Sequence, residues 1–234
     1  MAGFWTTALC MVMLCSSLNA QRKTIKLLGD FEEGWHKDWV ERKFGGATTL
    51  FEIEKEDTNK VLAAKSKISA SGLWRPVEAI TGKSATLSWR WKTKKALSKK
   101  NDERDKKGDD YVARVFVIFE PHLVNWKTRA ICYVWSAKEP VESTYLSPYS
   151  NSVGMMVLQS GDDNRKEWIE EQRDVVADYD QIFNEKPEFI SGIAIMVDTD
   201  NTNQEALTWF DDLVLEVGDQ RPLEKERSRE RFEY

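Results

Sequence analysis

Trp209-Phe210-Asp211-Asp212-Leu213-Val214-Leu215-Glu216, near the end of the chain, answers Leu27-Leu28-Gly29-Asp30-Phe31-Glu32 near its beginning. Both are apolar runs of strand type with carboxylates set into them. A carboxylate in such a run, if buried, has to be hydrogen-bonded, paired with a cation or bound to a metal, because a lone buried charge costs too much. The two runs therefore predict strands that carry internal polar obligations.

Working inward from these bookends, further strands are predicted at Thr24–Leu28, Thr48–Glu54, Val61–Lys67, Ala70–Arg75, Ala85–Lys92, Tyr111–Phe119, Ala130–Ser136, Val153–Ser160, Ile190–Val197 and Thr208–Val217. Most are short, rich in β-branched and aromatic residues, and bounded by Gly, Asn, Asp or Pro. Many strands with few helices predict an all-β, two-sheet sandwich. One short helix is expected at Val175–Phe183, with Asp174 as its cap and Val175, Tyr179, Ile182 and Phe183 at helical spacing. Thr93–Asp110 is dense in charge and lacks apolar periodicity, which reads as an exposed, mobile loop. The bookends resemble those of the jelly-roll, galactose-binding-like sandwiches used as carbohydrate-binding modules. That resemblance implies that the first and last strands lie together and share a structural calcium, here through Glu32 and Asp212.

The chain has 234 residues, 41% of them apolar, enough for one sizeable core. A formal charge of −5 argues against nucleic acid as a partner, since its binders usually carry a basic face. Residues 1–20 contain no charged side chain, and Phe4–Leu14 is an apolar stretch of signal-peptide length, too short to span a bilayer. With Ala20 as the last residue removed, the expectation is an exported protein of the periplasm or extracellular space, without a transmembrane segment. A domain over 21–218 and a charged, disordered tail over 219–234 complete the division. Cys132 is the only cysteine beyond the leader and reads as a buried, inert thiol.

Six stretches then carry a more specific likeness. They are Ser69-Ala70-Ser71-Gly72-Leu73, Leu87-Ser88-Trp89-Arg90-Trp91-Lys92, Lys107-Gly108-Asp109-Asp110-Tyr111-Val112-Ala113-Arg114, Tyr133-Val134-Trp135, the run from Trp168 through Arg173-Asp174-Val175 to Asp178-Tyr179, and Gly192 through Asp198-Thr199-Asp200-Asn201-Thr202. In order and spacing they resemble one bacterial family of exported proteins whose domain has no assigned function. The resemblance implies a compact β-sandwich and carries no activity.

Alternation places Leu87, Trp89 and Trp91 on one strand face and Ser88, Arg90 and Lys92 on the other; Ile131, Tyr133 and Trp135 likewise share a face. Trp91, Tyr133 and Trp135, with Arg90, Arg114, Asp109 and Asp110, are the candidate ligand-binding residues. Flat rings stack on the C–H faces of sugars while Arg and Asp bond the hydroxyls. The competing reading puts the rings in the core between the sheets. Arg114 lies in a strand apolar on both faces and needs a partner, Asp109 and Asp110 or Asp198 and Asp200. An ion-pair network and a ligand site would use the same residues. Asp198-Thr199-Asp200 presents oxygens at alternate positions, as calcium prefers, and equally as a polar turn does. Neither His36 nor His122 stands at zinc-motif spacing, and no catalytic residues are identified. The leading reading is a non-catalytic binding protein for a glycan or similar polar ligand at the cell envelope. An envelope enzyme acting on polysaccharide and a protein-interaction or assembly module are the alternatives.

Overall fold

A computed structural model describes residues 23–44, 46–80, 84–98, 100, 102–119 and 128–218. Residues 1–20 and 219–234, predicted as leader and tail, lie outside the described residues. Among these residues thirteen strands and one helix follow in the order β1 (Lys23–Gly29), β2 (Val40–Lys43), β3 (Leu50–Glu56), β4 (Asn59–Lys67), β5 (Ala70–Ile80), β6 (Ser84–Thr93), β7 (Ala113–Phe119), β8 (Arg129–Ser136), β9 (Thr144–Ser147), β10 (Ser150–Ser160), β11 (Ile169–Asp174), α1 (Val175–Phe183), β12 (Phe189–Asp198) and β13 (Glu205–Gly218). The first sheet runs β11-β6-β13-β4-β3, with β1 also paired to β13; the second runs β2-β5-β12-β7-β8-β10-β9. The protein is a jelly-roll-like β-sandwich, and its first and last strands do lie together, antiparallel from Lys23 opposite Gly218 to Gly29 opposite Leu213.

The core between the sheets is built by period-two alternation. Strand β6 sends Ala85, Leu87, Trp89 and Trp91 inward, and β8 sends Ile131, Tyr133 and Trp135 to meet them. Trp89 packs edge-on against Trp91 with ring centroids 5.4 Å apart, Tyr133 lies 5.4 Å from Trp89, and Trp135 lies 6.0 Å from Trp91. Three of these polar ends are tied at the margin of the core: Trp91 donates to Glu171 at 3.1 Å, Tyr133 to Asp178 at 2.7 Å and Trp135 to the Gly161 carbonyl at 3.0 Å, while Trp89 Nε1 is buried without a hydrogen-bond partner among the described residues. These tethers satisfy groups that would be costly to bury unpaired.

Strand β13 changes parity halfway. Ala206, Thr208 and Phe210 face inward, and so do Leu213, Leu215 and Val217. Asp211 opposes Arg90 but Val214 opposes Ser88, so one extra residue is accommodated, with Asp212 at φ 53° in the left-handed region. This is a β-bulge, and it keeps both halves of a long strand facing the same core.

Helix α1 has the expected span. Asp174 accepts from the backbone N–H of Val176 at 3.0 Å and of Ala177 at 3.2 Å, and Asn184 closes the helix at φ 51°. The reading of Thr93–Asp110 as a mobile loop is corrected. Leu97 joins the core, and buried Glu103 accepts from the Ala137 N–H at 2.6 Å and from the Ser136 hydroxyl. Among the described charges of this segment, Glu103, Asp109 and Asp110 are buried and anchor it, while the lysines stay exposed.

Candidate functional site

The predicted ligand residues separate into three layers. Trp91, Tyr133 and Trp135 fill the core, with relative exposures of 0%, 0% and 1%. They offer no face to a ligand, which corrects the exposed platform: alternation put the rings on one face, and that face is the inner one. Arg90 lies on the outer face of the first sheet. Arg114, Asp109 and Asp110 lie beyond the second sheet, on the far side of the sandwich.

On the outer face of the first sheet, the residues that alternate with the core rings meet two other tryptophans. Lys92 opposes Trp209, Trp209 opposes Ala63, and Ala63 opposes Glu52 across four adjacent strands, and directly opposed residues share a face. The half-buried Trp209 ring donates from Nε1 to Glu54 at 2.7 Å, and Trp168, just before β11, donates to Glu56 at 3.2 Å. Lys92 sits between the two indoles, its Nζ 4.9 Å from each ring, and pairs with Glu56. The Arg90 guanidinium lies 4.5 Å over Trp168 and reaches Asp211 at 2.5 Å and Asp212 at 2.8 Å. Lys65 bridges Glu52 at 2.6 Å and Glu54 at 2.8 Å.

Each ring is thus fixed at its N–H by a glutamate and attracted on its face by a cation. Hydrogen bonds from Lys65 and then Trp209 hold Glu54 below the usual carboxylate range. Burial raises Asp211, and the bond from Arg90 opposes that rise. The result is a half-exposed aromatic strip edged by ordered donors and acceptors, five carboxylates against three cations. Such a strip can stack a flat apolar face and bond polar groups around it.

A model of one protein family matches residues 37–214, most of the described sandwich and every residue named in this strip. The chain belongs to DUF3047, a family of proteins of unknown function. No curated protein matches the chain. Among solved structures it is similar to the family 11 carbohydrate-binding module of a cellulosomal cellulase of Clostridium thermocellum, at 13% identity and TM-score 0.44, covering 85% of this chain and 97% of that one. A cleaved adhesin domain of Lys-gingipain from Porphyromonas gingivalis aligns at 12% identity and TM-score 0.44, over 84% and 100%. A family 29 carbohydrate-binding module complexed with mannohexaose aligns at 10% identity and TM-score 0.42, over 85% and 94%.

In this DUF3047 member the acidic motif around Asp198 is an ion-pair site. Arg114 donates from Nε to Asp198 at 2.8 Å and through a second nitrogen to the same carboxylate, reaches the Asp109 carbonyl at 2.6 Å, and lies 4.3 Å over the Tyr111 ring. Burial opposes the charge on Arg114, but Asp109 and Asp198 outweigh it and hold the guanidinium well above its ordinary value. Asp110 accepts from the Thr202 N–H and hydroxyl, both at 2.6 Å, and so locks the turn after β12. The carboxylate oxygens of Asp110, Asp198 and Asp200 lie within 4.8 Å of one another, close enough to hold an ion.

The bookend carboxylates have other partners: Glu32 accepts from the Lys60 N–H at 2.9 Å, while Asp212 pairs with Arg90. Neither belongs to a cluster of three metal-ligating side chains among the described residues. Each of the two carboxylates thus has a polar partner of its own in the structure. Cys132 is buried and its thiol is pushed well up, chiefly by burial. No helix among the described residues is long and apolar enough to cross a membrane.

Sequence reading missed Trp168 and Trp209. Trp209 carried a usable signal: it directly precedes Phe210 in a strand, so only one of the two can face the core.

Proposed function

We propose that this protein is an exported, non-catalytic binding protein that takes a glycan or a similar polar ligand at the cell envelope, through the outer face of the first sheet. One observation carries the reading: Trp168 and Trp209 lie half-exposed on one sheet face, held in place by Glu54 and Glu56 and flanked by Arg90, Lys92 and Asp211. Rings fixed before binding lose little freedom when a ligand stacks on them. Side chains already ordered at their rim supply hydrogen bonds for hydroxyls. In this reading residues 1–20 are a leader removed on export, 21–218 form the binding domain, and 219–234 are a tail.

A glycan array probed with the mature protein, followed by titration of the hits against Trp168→Ala and Trp209→Ala, tests the proposal. Expected is a saturable hit that both variants weaken about tenfold or more. Hits that both variants retain at full strength would sink it. Any ion held by Asp110, Asp198 and Asp200 would, on this reading, be a structural calcium, since the donors are all oxygen. Chelation should then lower the melting temperature of metal-loaded protein and added calcium should restore it.

A further inference from the structure

Apart from the buried Arg114–Asp198 pair, the central strands of the second sheet are largely apolar on both faces. Cross-strand register lines up Val40, Trp74, Ala194, Phe116, Cys132, Met155 and Tyr145 from one edge of the outer face to the other. Toward β9 this face is roofed, and Cys132, Val134, Met155 and Val157 form a small closed cluster with Tyr111. Toward β2 it opens into a groove of about 240 Å³, whose lining includes Trp74, Phe116, Ile118, Ala194 and Met196, with Arg42 at its rim. A concave apolar lining of this kind can bury the apolar surface of a small ligand.

The lining decides what kind. Its one charged side chain is Arg42, whose guanidinium lies 5.3 Å over the Trp74 ring and has no carboxylate partner among the described residues. Sugar hydroxyls or peptide groups entering the groove would lose water with nothing but Arg42 to replace it, at a cost for each unpaired group. A hydrocarbon chain bears no such cost, and one anionic end would answer the lone cation at the rim. From β2 across β5 and β12 to β7 there are three strand spacings, about 14 Å in all, which is the reach of an extended chain of about ten carbons.

We propose that this groove binds a single-chain fatty carboxylate of about that length, with its chain lying across Trp74, Ala194 and Phe116 and its head group on Arg42. The site is on the opposite face of the sandwich from the aromatic strip and does not depend on the glycan reading. The test titrates the full chain with decanoate below its micellar concentration, by calorimetry and by tryptophan fluorescence. Decanol and vesicles of anionic phospholipid are run beside it. Expected are a one-to-one saturable isotherm and about tenfold weaker binding of decanol. Arg42→Gln, at an exposed position, should show a similar loss with an unchanged melting temperature, and Ala194→Phe should fill the groove and abolish binding. If Ala194→Phe folds poorly, Arg42→Gln and decanol decide alone. The proposal is overturned if decanol binds as tightly as decanoate, if Arg42→Gln has no effect, if only vesicles are bound, or if the isotherm does not saturate.

Discussion

Trp91 and Trp209 sit on neighbouring strands, one step apart in register: Trp91 opposes Phe210, and Lys92 opposes Trp209. Their fates are opposite. Trp91 is sealed between the sheets against Trp89 and Trp135, whereas Trp209 lies on the outer face with a lysine beside its ring. Nothing in composition separates them, since both stand among aromatic and charged neighbours. What separates them is parity within the strand, which turns identical side chains into core or into a surface available to a ligand.

The most severe way to break that contrast is to truncate the inner rings. Trp91→Ala and Trp135→Ala should each cost about 3–5 kcal/mol in urea denaturation, because each leaves a large cavity in a packed core. Any loss of ligand binding should track unfolding. A Trp91→Ala protein with nearly native stability would mean that the ring is not the core element its burial implies.

Comparable in size is Arg114→Ala, expected to cost about 3–5 kcal/mol because it strands the buried Asp198 carboxylate. Replacing the guanidinium together with one of its two carboxylates, as Arg114→Met with Asp198→Leu, should recover part of that loss, because buried Asp109 still lacks its cation. A double variant as unstable as the single one would show that the pair is needed for more than charge neutralisation. This buried pair also sharpens the contrast with Arg90 on the opposite surface, which is partly exposed and divides its charge between buried Asp211 and exposed Asp212.

Much of the sandwich was legible because its central strands are obliged to show their pattern. β6, β7, β8, β12 and β13 have neighbours on both sides and a buried face, so their apolar residues recur at period two. The strands left unread, β2, β9 and β11, are two short segments and one six-residue segment, all at sheet edges and mixing polar and charged residues with apolar ones. Edge strands need less apolar surface and often carry charge. The pairing of Arg114 with Asp109 and Asp198 was legible for a different reason: a charged residue in a doubly apolar strand demands a partner, and few lay near. The outer strip was not legible, since it joins Trp168 from a loop, Trp209 from β13, Lys92 from β6 and Glu54 from β3. Only the strand order brings them together, and the bulge at Asp212 hides the parity of β13 from a simple count.

A smaller effect concerns Glu103, which burial raises despite the bonds from Ser136 and Ala137. A carboxylate raised on folding contributes stability that is fully present below its unfolded pKa, about 4.3, and is lost as pH rises through the folded value. Wild-type stability should therefore fall with rising pH above about 4 more steeply than that of Glu103→Gln, in melting temperatures taken across the range. Parallel profiles would show that Glu103 titrates in the folded protein much as it does in the unfolded chain.

The smallest stability change is expected where the functional change is largest. Trp209→Ala removes a half-buried ring, one hydrogen bond to Glu54 and one contact with Lys92. Water can reach both partners, so the loss should be about 1 kcal/mol, well short of the cost at Trp91. Trp168→Ala should behave alike, since its ring meets Arg90 and Lys92 and its N–H meets Glu56. Glycan binding should fall about tenfold or more in both variants at unchanged fold, by circular dichroism and titration together. A conservative Trp209→Phe keeps the stacking face and gives up the N–H, so it should retain most of the affinity if stacking dominates. Should Trp209→Phe bind as poorly as Trp209→Ala, the indole would be acting through its bond to Glu54, and the strip would be an ordered polar surface in which the ring faces play no part.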